Sequence, residues 1–248
     1  KIWKNGTATS LTDGTNDATA ASIVVAGSDV YVTGYESNGT KFVAKVWKNG
    51  IPASLTNGTV NAFVFSIFVS GADVYVAGRE VNNAGTYNIA KIWKNGNPTS
   101  LTDGTKNATA QSVYVSGADV YVAGYEHNGT AEVAKIWKNG SPISLTDGTK
   151  QGILLGGYVS GTDVYAAGYE SNGTYEVAKV WKNGIVTILG DGTNYSFANA
   201  VAISGTDVYV SGDTYAGNVY TACYWKNGIR TSLTNGGNSS HANAIFVK

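Results

Sequence analysis

The side chains in this chain that could do chemistry recur at a fixed interval instead of converging in one place. Glu36, Glu80, Glu126 and Glu170 form one such series, with Thr214 in the fifth place. Carboxylates set one repeat apart do not form the acid/base pair of a glycosidase, whose two groups stand roughly 5 to 10 Å apart. A second series, Asp29, Asp73, Asp119, Asp163 and Asp207, opens a D-V-Y triplet each time. There an Asp suits a turn, its carboxylate accepting backbone N–H bonds. His127 and His241 have no H-x-x-x-H spacing, and Cys223 has no His in repeat register, so neither a metal centre nor a thiol nucleophile is expected. The D-G-T stretches at Asp13 and Asp103 lack the terminal glutamate of a calcium loop, and Asn57 and Asn235 replace the Asp in two units. No phosphate-cradling loop and no serine elbow occurs. The expectation is a non-enzyme without cofactor or metal.

What the repeated residues could do instead is bind. Trp47, Trp93, Trp137 and Trp181 each precede a Lys-Asn-Gly triplet containing Asn49, Asn95, Asn139 and Asn183. An indole exposed there would stack on the apolar face of a sugar ring, with the amide supplying hydrogen bonds; an indole buried there would be core. The differences between units lie elsewhere, just before each unit's first strand. Phe63, Lys106, Lys150, Tyr195 and His241 bring unlike chemistry to that position, suited to a single asymmetric partner.

The elements that must position these residues follow from the period. All six tryptophans lie in one motif, at Trp3, Trp47, Trp93, Trp137, Trp181 and Trp225, with spacings of 44, 46, 44, 44 and 44. Each unit reads as four short strands rich in Val, Ile and Tyr. In the first unit these are a (20–25), b (30–35), c (42–47) and d (51–55). Asn38-Gly39 and Asn49-Gly50 separate b from c and c from d, and Asn-Gly accepts the two positive φ values of a type I′ turn. Four-stranded meanders of this length, joined by a polar crossover, predict a β-propeller. No window shows a helical apolar period.

Six c and d strands but only five D-V-Y strands are present. The expected fold is therefore all-β, a single domain over 1–248: a six-bladed propeller of four-stranded antiparallel blades, the sixth incomplete and closed by both ends. Residues 1–11 should share a sheet with 242–247. A chain lacking one strand of that blade is a fragment or processed form in this reading.

Composition bounds the partners. Seventeen Lys plus Arg balance seventeen Asp plus Glu, which removes the field that nucleic acid or an anionic membrane requires. No apolar run approaches the roughly 18 residues that span a bilayer. Units such as Asp119–Thr130, D-V-Y-V-A-G-Y-E-H-N-G-T, resemble the Y-V-T-G-Y repeats of secreted bacterial β-propeller proteins, and the plan is similar to that of propeller lectins. The resemblance implies a propeller fold and an extracellular or cell-surface setting, with glycans or a surface protein as partner. The functional expectation is a non-catalytic, multivalent, lectin-like carbohydrate-binding protein; the alternative is a structural or adhesive scaffold whose partner docks at the channel mouth.

Overall fold

A computed structural model describes residues 1–247, which form twenty-two β-strands and no helix. The strands make five four-stranded antiparallel sheets and one two-stranded sheet. In the first full sheet the strands are β3 (Ala18–Ala26), β4 (Asp29–Ser37), β5 (Phe42–Lys48) and β6 (Ile51–Ser54), paired in chain order. The same meander recurs four more times. The chain divides into two compact units, Lys1–Val113 and the residues from Tyr114 onward.

The c–d hairpins turn where Asn-Gly predicts. Asn49 and Gly50 have φ of 52° and 84°, the two left-handed values that a type I′ turn needs. The b–c connection differs from expectation. Asn38 is not left-handed, and four residues separate β4 from β5. Its side chain stands in for backbone: Oδ1 accepts from the N–H groups of Thr40 and Lys41, while Nδ2 donates to the Gly58 carbonyl. Asn38 thus ties its loop to the following crossover.

First strands carry a bulge near their middle at Ala20/Ser22, Val64/Ser66, Leu154/Gly156 and Ala198/Ala200, the third of these in β15 (Gly152–Ser160). Opposite it Gly168 lies so close that a Cβ would sit 2.0 Å from the Ile153 carbonyl oxygen. Only glycine fits there.

Sheets stack within each unit through the tryptophans. In the first unit Trp93 packs with Ala44, Ala62, Val64, Ile67 and Val76. In the second, Trp225 packs with Ala178, Val180, Ala198, Val201 and Val210, and its Nε1 donates to the Leu189 carbonyl at 3.1 Å.

The expected closing sheet is not formed. β1 (Ile2–Lys4) pairs only with β2 (Thr7–Thr9), and residues 241–247 contain no strand. The start of that segment is nevertheless placed like a first strand. Ser239 Oγ and Ser240 Oγ accept from the Tyr220 and Ala222 N–H groups. It has no ladder neighbour among the described residues, and an unpaired strand is not a sheet.

Candidate functional site

The repeated residues prove to be framework. Trp47, Trp93 and Trp137 are 1% exposed and Trp181 2%, so no indole at these positions reaches a sugar. The rim-stacking expectation is corrected: all four indoles are core, and those of Trp93 and Trp181 fill the space between two sheets of their own unit, where burial of so large a ring stabilises most. The amides beside them are committed too. Asn49 Oδ1 accepts from the Val30 N–H and its Nδ2 donates to Asp29, both at 2.8 Å. Asn95, Asn139 and Asn183 repeat this clamp on Asp73, Asp119 and Asp163.

Asp29 was expected to bind backbone; it binds side chains instead. Lys48 lies 2.7 Å from its carboxylate and 5.2 Å from the Tyr31 ring centroid. The Lys48 hydrogen bond, then that of Asn49, holds the Asp29 carboxyl below its usual range. The glutamate series is likewise neutralised on the neighbouring strand: Glu36 by Lys45, Glu80 by Lys91, Glu126 by Lys135 and Glu170 by Lys179. Catalysis from that series is disfavoured by ion pairing as well as by spacing.

The alternative mouth residues are each bound locally. Phe63 meets Tyr35 edge-on at 5.0 Å, and the Arg79 guanidinium lies over its ring. Lys106 is exposed in its crossover. Lys150 Nζ donates to the Asn172 carbonyl at 2.6 Å. Tyr195 lines a cleft of about 380 Å³ with Tyr215, Thr214 and Arg230. There the Glu–Lys pair is lost, Thr214 and Cys223 standing in its place, and Arg230 donates to Thr214 Oγ1 at 2.8 Å. His241, by contrast, lies in a set of titratable groups.

That set lies in the second unit at the end of β20 (Asp207–Ala216) and the start of β21 (Val219–Lys226). Asp213 takes the place that Tyr35, Arg79, Tyr125 and Tyr169 hold in the other sheets. It is 4% exposed, which an aspartate tolerates only with full hydrogen bonding. Asn199 Nδ2 and the Ala242 N–H donate to it at 3.1 and 2.9 Å, and His241 Nδ1 lies 3.1 Å from Oδ2. A carboxylate facing Nδ1 holds the ring in place and leaves Nε2 for another partner. The imidazole is half-exposed and lies 5.0 Å from the Tyr220 ring.

From Tyr220 the rings continue to Phe197 at 6.3 Å and from Phe197 to Tyr169 at 5.1 Å. Tyr169, in β16 (Asp163–Ser171), has its phenol pushed up to about 12, first by burial, then by the charge of Glu176, with Tyr125 and Glu132 adding to it. The phenol therefore stays protonated and can donate. Glu132 and Glu176 open β13 (Glu132–Lys138) and β17 (Glu176–Lys182). Both are half-buried, and neither has an ion-pair partner among the described residues. An aromatic run, Tyr169–Phe197–Tyr220–His241, thus joins two free carboxylates at one end to a buried carboxylate–imidazole pair at the other. These groups can stack on an apolar face, donate a hydrogen bond and move a proton.

The sequence-based reading found His241 but not its partners. The available signal was departure from the repeat: Asp213 replaces Tyr or Arg, and Glu132 and Glu176 stand where other units have Phe42, Asn88 and Tyr220.

No protein-family model matches this chain, and no curated protein does. Among solved structures it is similar to a thermostable family-43 glycoside hydrolase, with TM-score 0.52, 11% identity, and 94% of this chain and 98% of that one covered. It also matches the GH32 β-fructofuranosidase of Bombyx mori (TM-score 0.44, 6% identity, 83% of this chain and 60% of that one). A third match is the β-propeller domain of the Trilobed protease from Pyrococcus furiosus (TM-score 0.42, 10% identity, 93% and 98% covered). At such identity the first of these speaks for the fold alone, an all-β architecture that a glycoside hydrolase also uses. The expectation of a non-catalytic lectin or scaffold is corrected accordingly: the fold is shared with an enzyme, the supposed sugar-stacking indoles are core, and the groups that remain free are acid/base groups.

Proposed function

We propose that the second unit carries an acid/base site acting on glycosidic bonds, with Glu132, Glu176 and Asp213 as its carboxylates. The observation that carries this reading is the aromatic run of Tyr169, Phe197 and Tyr220, flanked at both ends by carboxylates that the repeated framework does not consume. Glycoside cleavage needs a proton donor at the leaving oxygen and a second carboxylate at the anomeric carbon or its attacking water, and aromatic faces suit the sugar ring. In this reading Glu176 gives the proton, while Glu132, one repeat away and so not its acid/base mate, adds negative charge beside Tyr169. Tyr169 donates to a substrate oxygen, and Asp213 orients His241.

The five four-stranded sheets and the β1–β2 hairpin are the number that a six-bladed propeller with one incomplete blade requires, and that architecture belongs to the proposal. So does an extracellular or cell-surface setting, where glycan polymers are met. The test is release of reducing ends or chromophore from a panel of polysaccharides and aryl glycosides. Turnover should fall roughly 10²- to 10⁴-fold in Glu176→Gln at unchanged melting temperature. A panel without any turnover, or turnover indifferent to Glu176, Glu132 and Asp213 alike, overturns the proposal.

A further inference from the structure

One edge of the first unit is unlike every other part of the repeat. Five tryptophans are buried, but Trp3 is 68% exposed. Beside it Ile23, in β3, is 56% exposed although its counterpart Ile67 is 6% exposed. Lys1, Ile2, Trp3, Ala20, Ile23 and Val32 line a cleft of about 300 Å³. On one side β1 is bonded to β2; the other side has no strand among the described residues.

The rest of the chain shows what such an edge takes. In the first full sheet β5 has β4 on that side, with Val32 opposite Trp47, Gly34 opposite Lys45 and Tyr31 opposite Lys48. Asp29 and Glu36 of β4 neutralise Lys48 and Lys45. Asn49 of the turn closes on Asp29 and the Val30 N–H. Tyr31 packs against the next sheet, in the cluster that contains Ile67. The β1 hairpin presents the same acceptors: Lys1, Trp3, Lys4 and a left-handed Asn5 with φ of 50° stand in the register of Lys45, Trp47, Lys48 and Asn49. Its cations and amide have no recorded partner among the described residues, and Ile23 lacks the tyrosine that covers Ile67.

We infer that the free edge of β1 is a docking site for an added antiparallel strand of the pattern Asp-Val-Tyr-Val-x-Gly-Tyr-Glu, supplied by a polypeptide segment separate from the five such strands already in use. Backbone pairing supplies affinity, and the side chains fix register. The Asp binds Lys4 and Asn5, the second Val covers Trp3, the first Tyr covers Ile23, the Gly faces Lys1, and the Glu binds the Lys1 ammonium.

The test uses a synthetic peptide with the sequence of Asp119–Thr130, which contains no tryptophan. Titrated into the protein up to about 1 mM, it should shift tryptophan emission to the blue and remove acrylamide access to one of six indoles. The signal should vanish in Trp3→Phe. Lys4→Glu should weaken binding roughly three- to tenfold, and a D119K peptide should recover part of that loss. No spectral change at that concentration, equal binding of a scrambled peptide, or self-association that already shields Trp3 would each overturn the inference, the last by assigning the edge to a second copy of the chain.

Discussion

Replacing two core tryptophans by phenylalanine separates packing from hydrogen bonding. Trp93 and Trp225 are each 1% exposed within apolar clusters. The change removes about three buried ring atoms in either case, worth about 2–3 kcal/mol once transfer and the residual cavity are added. At Trp225 the indole also donates to the Leu189 carbonyl, which would lose its donor at a further cost of about 1–3 kcal/mol. The Nε1 of Trp93 meets no protein acceptor, so nothing comparable is lost there. Urea unfolding followed by far-ultraviolet circular dichroism should therefore place Trp225→Phe at least about 1 kcal/mol below Trp93→Phe, with m-values unchanged. Equal losses, or a larger loss at Trp93, would refute the reasoning.

Further expectations concern the framework. Gly168→Ala drives a Cβ into the Ile153 carbonyl and should cost more than about 3 kcal/mol or abolish folding, as thermal melting would show. The aspartates Asp29, Asp73, Asp119, Asp163 and Asp207 are held below their ordinary range, first by hydrogen bonds from lysine and then from asparagine. A depressed folded value means stability present above the unfolded carboxyl range and lost as pH falls through the folded one. Denaturation curves should show an acid limb below about pH 4 that shallows in Asp119→Asn. Burial pushes the Cys223 thiol up to about 12, so alkylation at pH 8 should proceed only on unfolding, as mass spectrometry of native and urea-treated protein would report.

Sheet number, strand order and the c–d turns were legible in the sequence because the period of two, the Asn-Gly pairs and the 44-residue repeat act locally. The b–c loop was not, since Asn38 bonds through its side chain to a crossover twenty residues away. Closure of the last sheet failed for a related reason. Residues 242–247 have strand-forming side chains, but a strand needs a partner, and partners are not written in local pattern. For the site, repetition drew attention to the wrong residues. Trp47 and Asn49 recur because every full sheet uses them as core and clamp, and Glu36 recurs as the ion pair of four of the five. The groups outside that framework, Asp213, Glu132 and Glu176, are visible only as exceptions to the repeat.

In the proposed function the exceptions to the repeat, not the repeated residues, carry the chemistry. Glycoside hydrolysis by Glu132→Gln, Glu176→Gln and Asp213→Asn, beside the framework control Glu170→Gln, tests it most directly. Losses of roughly 10²-fold or more are expected at Glu132 or Glu176, with a loss at Asp213 as His241 is released and a rate near the parent's for the control. Losses of the same size in all four variants, or confined to Glu170→Gln, would contradict it.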